Sequence, residues 1–264
     1  MDLELSGKAA LVTGGSRGIG KAIARQLALE GMDVAICGRQ RDALDAAARE
    51  LGKETGRRIV PLLADTSKAE EVNALVQAAV GALGRLDVLV NNAALVGGVP
   101  SNDLAKVDEA AILGDLNTKF LGYVRCARAA APHMQKNHSG RIINIGGLAA
   151  RTAGNIAGAR NAAVGHLTKT LADMLGPYGI TVNAIHPGTT RTERSAEAWT
   201  EQAKREGVAL DEYERRLGAH HAIRRIVDAR EIAYVAAFLA SPKSGAITGE
   251  VIAAGGGPSR AVYY

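Results

Sequence analysis

Short runs of aliphatic and β-branched residues alternate with longer alanine-rich segments of helical period along almost the whole chain. This alternation predicts parallel strands joined by crossover helices, that is, an α/β fold with one doubly wound parallel sheet. We place seven strands at residues 9–13, 33–37, 59–64, 88–91, 141–145, 181–186 and 250–253. Helices fill the intervals, and the longest is predicted to run without a break over residues 103–135. Sheets of this kind bind ligands beyond the carboxyl ends of their strands.

The composition fits a single domain that spans residues 1–264. With 264 residues, 47% of them hydrophobic, the chain can bury a large core. The net charge of +5 is spread along the chain and aromatic residues make up only 3%, so we expect no nucleic-acid partner. No stretch approaches the ~18 apolar residues that a membrane span requires, and no basic start is followed by an apolar run. Cys37 and Cys126 lack metal-ligand spacing, and we expect both to be reduced core residues of a cytoplasmic protein. We expect no membrane or metal partner.

One segment, residues 189–226, interrupts the alternation of strands and helices. It holds seven arginines and one lysine among seven acidic residues, a pattern typical of two short amphipathic helices. A solvated surface insertion is the plain interpretation of such a charge run. Because the segment follows a strand end, where the ligand crevice opens, we predict a helical lid over the substrate.

A glycine-rich turn follows the first predicted strand and precedes a helix. Glycines at 14, 18 and 20 permit a tight turn and close approach of the backbone to a pyrophosphate, and the helix start supplies free N–H donors. In this context the pattern predicts a dinucleotide site. The residues assigned to it here are Thr13, Gly14, Ser16, Arg17, Gly18, Ile19 and Gly20.

The end of the second strand selects between the two nicotinamide dinucleotides. An acidic side chain there accepts from the ribose 2′-hydroxyl of NAD, whereas an arginine favours the 2′-phosphate of NADP. This chain has Gly38 and Arg39 at that point and no acid, and Arg17 offers a second guanidinium. We therefore predict NADP as the cofactor.

Further motifs resemble those of the short-chain dehydrogenase/reductase family from Leu5 to Gly257. The similar segments are Ala64-Asp65-Thr66, Asn91-Asn92-Ala93-Ala94, Leu116-Asn117-Thr118 and Pro187-Gly188 with Thr192. The resemblance implies a Rossmann-like fold, an oxidoreductase, and a homotetramer or homodimer. It also implies cofactor contacts at Asp65, Thr66, Asn91, Ala93, Pro187, Gly188, Thr190 and Thr192. Asn117 resembles the helix asparagine that takes part in the family's proton relay.

The resemblance fails at the groups that perform proton transfer in the family. The positions of its serine, tyrosine and lysine fall on Gly147, Ala157 and Asn161. No local shift restores the set, because the chain has no tyrosine between 123 and 178 and no lysine between 136 and 169. Asn161 is predicted to hydrogen-bond the nicotinamide ribose in place of the lysine; the alternative is that it only packs or caps. His186 and the pair His220-His221 are candidate replacement acids, each with a structural role as the alternative.

These observations lead to one main hypothesis and two alternatives. The main hypothesis is an NADP-binding oxidoreductase of this family that acts on an unknown small carbonyl or alcohol with an altered proton-transfer site. Asn117 and Asn161 are its candidate catalytic residues. The first alternative is a non-catalytic NADP-binding sensor or an inactive partner subunit, and the second is a non-redox lyase or isomerase that uses the same pocket.

Overall fold

A computed structural model describes residues 1–95, 104–153, 156 and 158–257. The strands are β1 (Ala9–Thr13), β2 (Asp33–Gly38), β3 (Ile59–Leu63), β4 (Val88–Asn91), β5 (Gly140–Ile145), β6 (Ile180–Pro187), β7 (Thr190–Arg191), β8 (Val227–Asp228) and β9 (Val251–Ala254). The α-helices are α1 (Gly18–Leu29), α2 (Arg41–Thr55), α3 (Ala69–Leu83), α4 (Glu109–Leu116), α5 (Gly122–Gln135), α6 (Gly158–Leu175), α7 (Glu193–Arg205), α8 (Leu210–Gly218) and α9 (Ala229–Ala240).

Seven strands form one sheet in the order β3-β2-β1-β4-β5-β6-β9. Every neighbouring pair is parallel, so all carboxyl ends lie at the same edge. The direction of winding reverses between β1 and β4, and this reversal opens a crevice at that edge. The predicted α/β fold with a doubly wound sheet is confirmed.

Helices cover both faces of the sheet because its strands are apolar on both sides. On β1, Ala10 and Val12 pack into one core with α1, α2 and α9, whereas Leu11 packs into the other with α3 and α5. Both free cysteines are buried in the second core, as expected for reduced packing residues. None of the described helices is long and apolar enough to cross a membrane.

The predicted continuous helix over 103–135 is wrong in its middle. A π-helix, Asn117–Leu121, separates α4 from α5. There Arg125 donates from Nη1 to the carbonyl oxygens of Asn117 (3.1 Å) and Thr66 (3.3 Å). Where a side chain hydrogen-bonds a helix carbonyl oxygen in this way, the helix often changes its pitch locally. Asp108 caps the start of α4 by accepting from the backbone N–H of Ala110.

The segment 189–226 contains the two predicted amphipathic helices, α7 and α8. Thr192 and Ser195 form a capping box at the start of α7. Two short strands flank the pair: Thr190 of β7 lies opposite Val227 of β8, in a separate parallel sheet. The sequence did not predict these strands. A role for this segment as a substrate lid stays a prediction.

Candidate functional site

The turn between β1 and α1 requires glycine at several points. Gly14 and Gly18 have φ of 64° and 55°, in the left-handed region where a side chain is strained. At Gly20 a Cβ would fall 2.2 Å from the carbonyl oxygen of Gly14. The turn therefore presents bare backbone and the first N–H groups of α1 to the crevice, as the sequence predicts.

Thr13 and Asn92 hold this turn from behind. The Thr13 hydroxyl accepts from the backbone N–H groups of Asn92 (2.9 Å) and Ala93 (3.1 Å). The Asn92 amide donates to the carbonyl oxygens of Thr13 (3.0 Å) and Gly14 (3.1 Å). Thr13 is fully buried and its side chain braces the turn, and a contact between Thr13 and the cofactor stays a prediction. Asn92 was missed as a site residue, although the doubled asparagine in the motif was its signal.

A cavity of about 300 Å³ opens between the turn and the ends of β2 and β3. Its lining includes these predicted site residues: Gly14, Ser16, Arg17, Arg39, Asp65, Thr66 and Ala93. The Arg17 guanidinium donates to Gln40 Oε1 at 2.9 Å, which keeps it beside the β2 end.

Burial alone would raise the pKa of Asp65, but hydrogen bonds from Ser67 and the nearby positive charges lower that pKa overall. Asp65 is therefore an ionised acceptor at this rim.

The segment after β6 closes the other side of the turn. Thr192 lies over it, since a Cβ on Gly18 would be 3.6 Å from the Thr192 Cγ2 atom. Next to it, Glu193 Oε2 accepts from the backbone N–H of Gly18 at 3.1 Å. The Glu193 carboxylate thus occupies the Gly18 N–H, one of the hydrogen-bond donors of the anion-binding turn. The sequence analysis did not predict Glu193 as a site residue. Thr190 donates to the carbonyl oxygen of Gly188 at 2.9 Å, and Pro187 ends β6 beside Ala254.

Asn91 lies beneath the crevice and not in it. Its amide donates to Asn144 Oδ1 at 2.9 Å, and the Asn144 amide donates to the Thr168 hydroxyl at 3.0 Å. Because Asn91 is fully buried in this row, its side chain links β4 to β5 and α6. The Asn91 side chain therefore supports the crevice from below, and a contact between Asn91 and the cofactor stays a prediction.

Asn161 and the two glycines after β5 form the floor of the site. A Cβ on Gly147, the position of the family's serine, would lie 2.9 Å from Asn161 Nδ2. Asn161 is buried on α6. Ala157, the position of the family's tyrosine, lies outside the described residues.

Lys119 contacts Asn161 from the facing π-helix. Its ammonium donates to Asn161 Oδ1 at 2.9 Å and to the carbonyl oxygen of Gly146 at 2.8 Å. The residue is only 4% exposed. Burial, helped by the positive charge of Arg160 and opposed by Asp115, lowers the pKa of Lys119 from 10.5 to about 7. The sequence reading missed this lysine.

The Asn117 side chain contacts α5, and its catalytic role stays a prediction. Its Oδ1 accepts from Arg125 Nη2 at 2.8 Å, and none of its described hydrogen bonds reaches Asn161. Lys119, in the same π-helix, contacts Asn161 on α6 instead. A catalytic role for Asn117 is therefore not supported by its contacts.

Among the histidines, His186 lies next to this floor. It is 2% exposed, and neither ring nitrogen has a hydrogen-bond partner in the described part of the chain. A Cβ on Gly146 would fall 2.3 Å from the ring, so glycine is what admits the imidazole here. Burial, then the charges of Arg151 and Lys119, lowers the pKa of His186 to about 4. The ring is neutral at pH 7 and is a poor proton donor there.

Of the paired histidines, His221 bonds the Arg225 carbonyl oxygen through Nδ1, 2.9 Å away.

Comparison with known proteins agrees with the geometry. A family model described as enoyl-(acyl carrier protein) reductase matches residues 14–259. The short-chain reductase protein NovJ of Streptomyces niveus is 38% identical over 257 residues, which cover 94% of this chain and 92% of that protein. The chain belongs to the short-chain dehydrogenase/reductase family.

Other members of the short-chain dehydrogenase/reductase family are similar over almost the whole chain. The NADPH-dependent reductase BacG of Bacillus subtilis is 31% identical over 98% of this chain and 100% of that protein. The structure of L-sorbose reductase from Gluconobacter frateurii, complexed with NADPH and L-sorbose, has a TM-score of 0.91. It is 30% identical and covers 99% of this chain and 100% of that chain. The chain is therefore similar over its length to reductases of this family.

Proposed function

We propose that this short-chain dehydrogenase/reductase is an NADPH-dependent reductase of a small carbonyl compound. The observation that carries the proposal is the cavity beside the glycine turn, where Arg17 and Arg39 line the rim at the β2 end. Two guanidinium groups fit a dianionic 2′-phosphate. The names of the relatives support the same cofactor, since BacG is an NADPH-dependent reductase and the L-sorbose reductase was solved with NADPH.

The residues present fit a dinucleotide. A Cβ at Gly20 would collide with the Gly14 carbonyl oxygen, so the turn keeps its shape only with glycine there. The free N–H groups at the start of α1 suit the pyrophosphate. Asp65 would lie beside the adenine and the segment from Pro187 to Thr192 beside the nicotinamide. When bound, NADPH supplies a hydride. The protein must then orient the carbonyl group and provide a proton for its oxygen.

The proton-transfer arrangement differs from that of the family in this proposal. Glycine at 147 and asparagine at 161 offer no group that titrates near pH 7. Asn161 is proposed to bind near the nicotinamide ribose through its amide. The homodimer or homotetramer that the resemblance implies stays a prediction, which light scattering would check.

Calorimetry with NADPH and NADH tests the cofactor assignment. We expect tighter binding of NADPH, and a loss of about tenfold in that preference for Arg39→Gln, which corresponds to one charge-assisted hydrogen bond of ~1.5 kcal/mol. Arg41→Gln is the matched control, because Arg41 begins the neighbouring helix and pairs with Asp45 at 3.7 Å. Equal affinity for the two dinucleotides in the wild type would contradict the assignment.

Turnover separates the reductase from a non-catalytic NADPH-binding protein. Oxidation of NADPH is followed across a panel of ketones, aldehydes and quinones. Consumption of NADPH with an equal yield of alcohol supports the reductase. Tight binding of NADPH with background rates throughout the panel would favour the non-catalytic sensor or partner subunit.

A further inference from the structure

The floor of the site joins a lysine and an asparagine that come from two facing helices. In the family, lysine occupies the position of Asn161 on α6, and asparagine lies on the long helix that faces it. Here the facing helix supplies Lys119 and α6 supplies Asn161, and the two side chains are joined at 2.9 Å. The cation of the site is retained, but it comes from a different helix.

We infer that Lys119 donates the proton that the substrate's carbonyl oxygen takes up. The inference rests on the proposed reductase function. It assigns to Lys119 the work of the groups that are missing at Gly147, Ala157 and Asn161.

The position of the ammonium fits this role. A lysine ammonium has three N–H donors, and those of Lys119 bind Gly146 and Asn161, which leaves one without an acceptor among the described residues. Gly146 follows β5 at the carboxyl edge of the sheet, where the crevice opens. A serine at 147 would crowd the Asn161 amide, since even a Cβ there would lie 2.9 Å from it. The glycine and the asparagine are therefore consistent with an amine held at this point.

The neighbouring groups are less suited to donate a proton at neutral pH. Arg160 on α6 pairs with Asp115 on α4, and a guanidinium stays protonated in proteins. His186 on β6 has a pKa of about 4 and is neutral at pH 7. The Tyr123 hydroxyl donates to the Ile145 carbonyl oxygen at 2.8 Å, and burial raises its pKa. Lys119, with a pKa of about 7, is present in both protonation states near neutral pH, as a general acid should be.

The reduction balances with this donor. The carbonyl carbon gains the hydride that bound NADPH supplies, and the electron pair of the C=O π bond moves to the oxygen. An N–H bond of the Lys119 ammonium breaks as the O–H bond of the product alcohol forms. The neutral amine then takes a proton from water.

Kinetics of three variants test the assignment in the full-length protein. We expect Lys119→Met to lower kcat by about 10²–10⁴-fold, the usual range for a general acid, with the Kd for NADPH within threefold of wild type. Lys119→Arg keeps the positive charge without a releasable proton, and we expect it to be equally impaired. Lys169→Met is the control, since Lys169 lies on α6 and is 63% exposed. Wild-type kcat in Lys119→Met, or recovery in Lys119→Arg, would overturn the inference while the reductase function stands.

A second readout does not depend on turnover. Protein labelled with ¹³C and ¹⁵N in lysine is titrated by NMR, and the Lys119 signal is the one missing in Lys119→Met. A midpoint near pH 7 supports the proton donor, and a midpoint above pH 9 overturns it. Absence of turnover in the wild type with NADPH bound would instead remove the proposed function, and the donor role with it.

Discussion

A methyl group added at Gly146 tests whether the imidazole of His186 is fixed against the floor of the site. The new Cβ would lie 2.3 Å from the His186 Cδ2 and Nε2 atoms, whereas unstrained carbon contacts are ~3.5–4.0 Å. The ring would have to move by more than ~1 Å, but its backbone is held between β5 and β9. We therefore expect Gly146→Ala to cost about 1–3 kcal/mol of stability, the usual cost of overpacking. For a domain of this size that lowers Tm by about 2–12 °C.

Differential scanning calorimetry of a double-mutant cycle isolates this contact. His186→Ala removes the ring and its unpaired nitrogens, so the double variant should recover most of the loss caused by Gly146→Ala. Gly81→Ala is the control, because a Cβ at Gly81 on α3 meets no atom within 4 Å. A wild-type Tm for Gly146→Ala, or strictly additive losses in the double variant, would refute the reasoning.

Three further outcomes follow from the site. The folded pKa of Lys119, about 7, lies below the ordinary 10.5, so the unfolded chain binds more protons between these values. Stability to urea should therefore rise from pH 7 to pH 9 in the wild type, and Lys119→Met should lose that rise. Gly20→Ala should lose NADPH binding by calorimetry, because its Cβ would fall 2.2 Å from the carbonyl oxygen of Gly14; unchanged affinity would contradict the turn assignment. Glu193→Gln removes a carboxylate from the N–H of Gly18 and should tighten NADPH binding. The gain should be only about two- to fivefold, because the side chain is 60% exposed and its charge is screened; weaker binding would mean that Glu193 assists the cofactor.

The sequence predicted the sheet well, because strand burial and helical period are local properties. β1 and β4 have the predicted bounds, and the other five strands of the sheet overlap their predictions within one or two residues. The failures depend on tertiary contacts. The two-residue strands β7 and β8 exist only because they pair with each other. The break in the long helix accompanies the contact of Arg125 with Thr66, which lies far away in sequence.

The site was predicted in part. The glycine turn, Arg17, Arg39 and Asp65 could be placed because their role follows from their position after a strand. Lys119 could not be placed by motif, since the segment that resembles the family's, Leu116-Asn117-Thr118, ends one residue before it. A signal was present all the same: Asp115, Lys119 and Tyr123 are spaced by four residues, and this spacing puts them on one stripe of a helix. All three prove to be buried.

The π-helix at Asn117–Leu121 carries Lys119, a candidate active-site residue that lies outside the usual motif. A single extra residue in one helical turn rotates the rest of the helix, so an insertion of this kind can change which side chain faces a neighbouring helix without altering the strands. Motif searches that require tyrosine and lysine four residues apart on one helix would discard this chain as inert. Searches for an amine within hydrogen-bond distance of the sheet edge, whichever helix delivers it, would retain it.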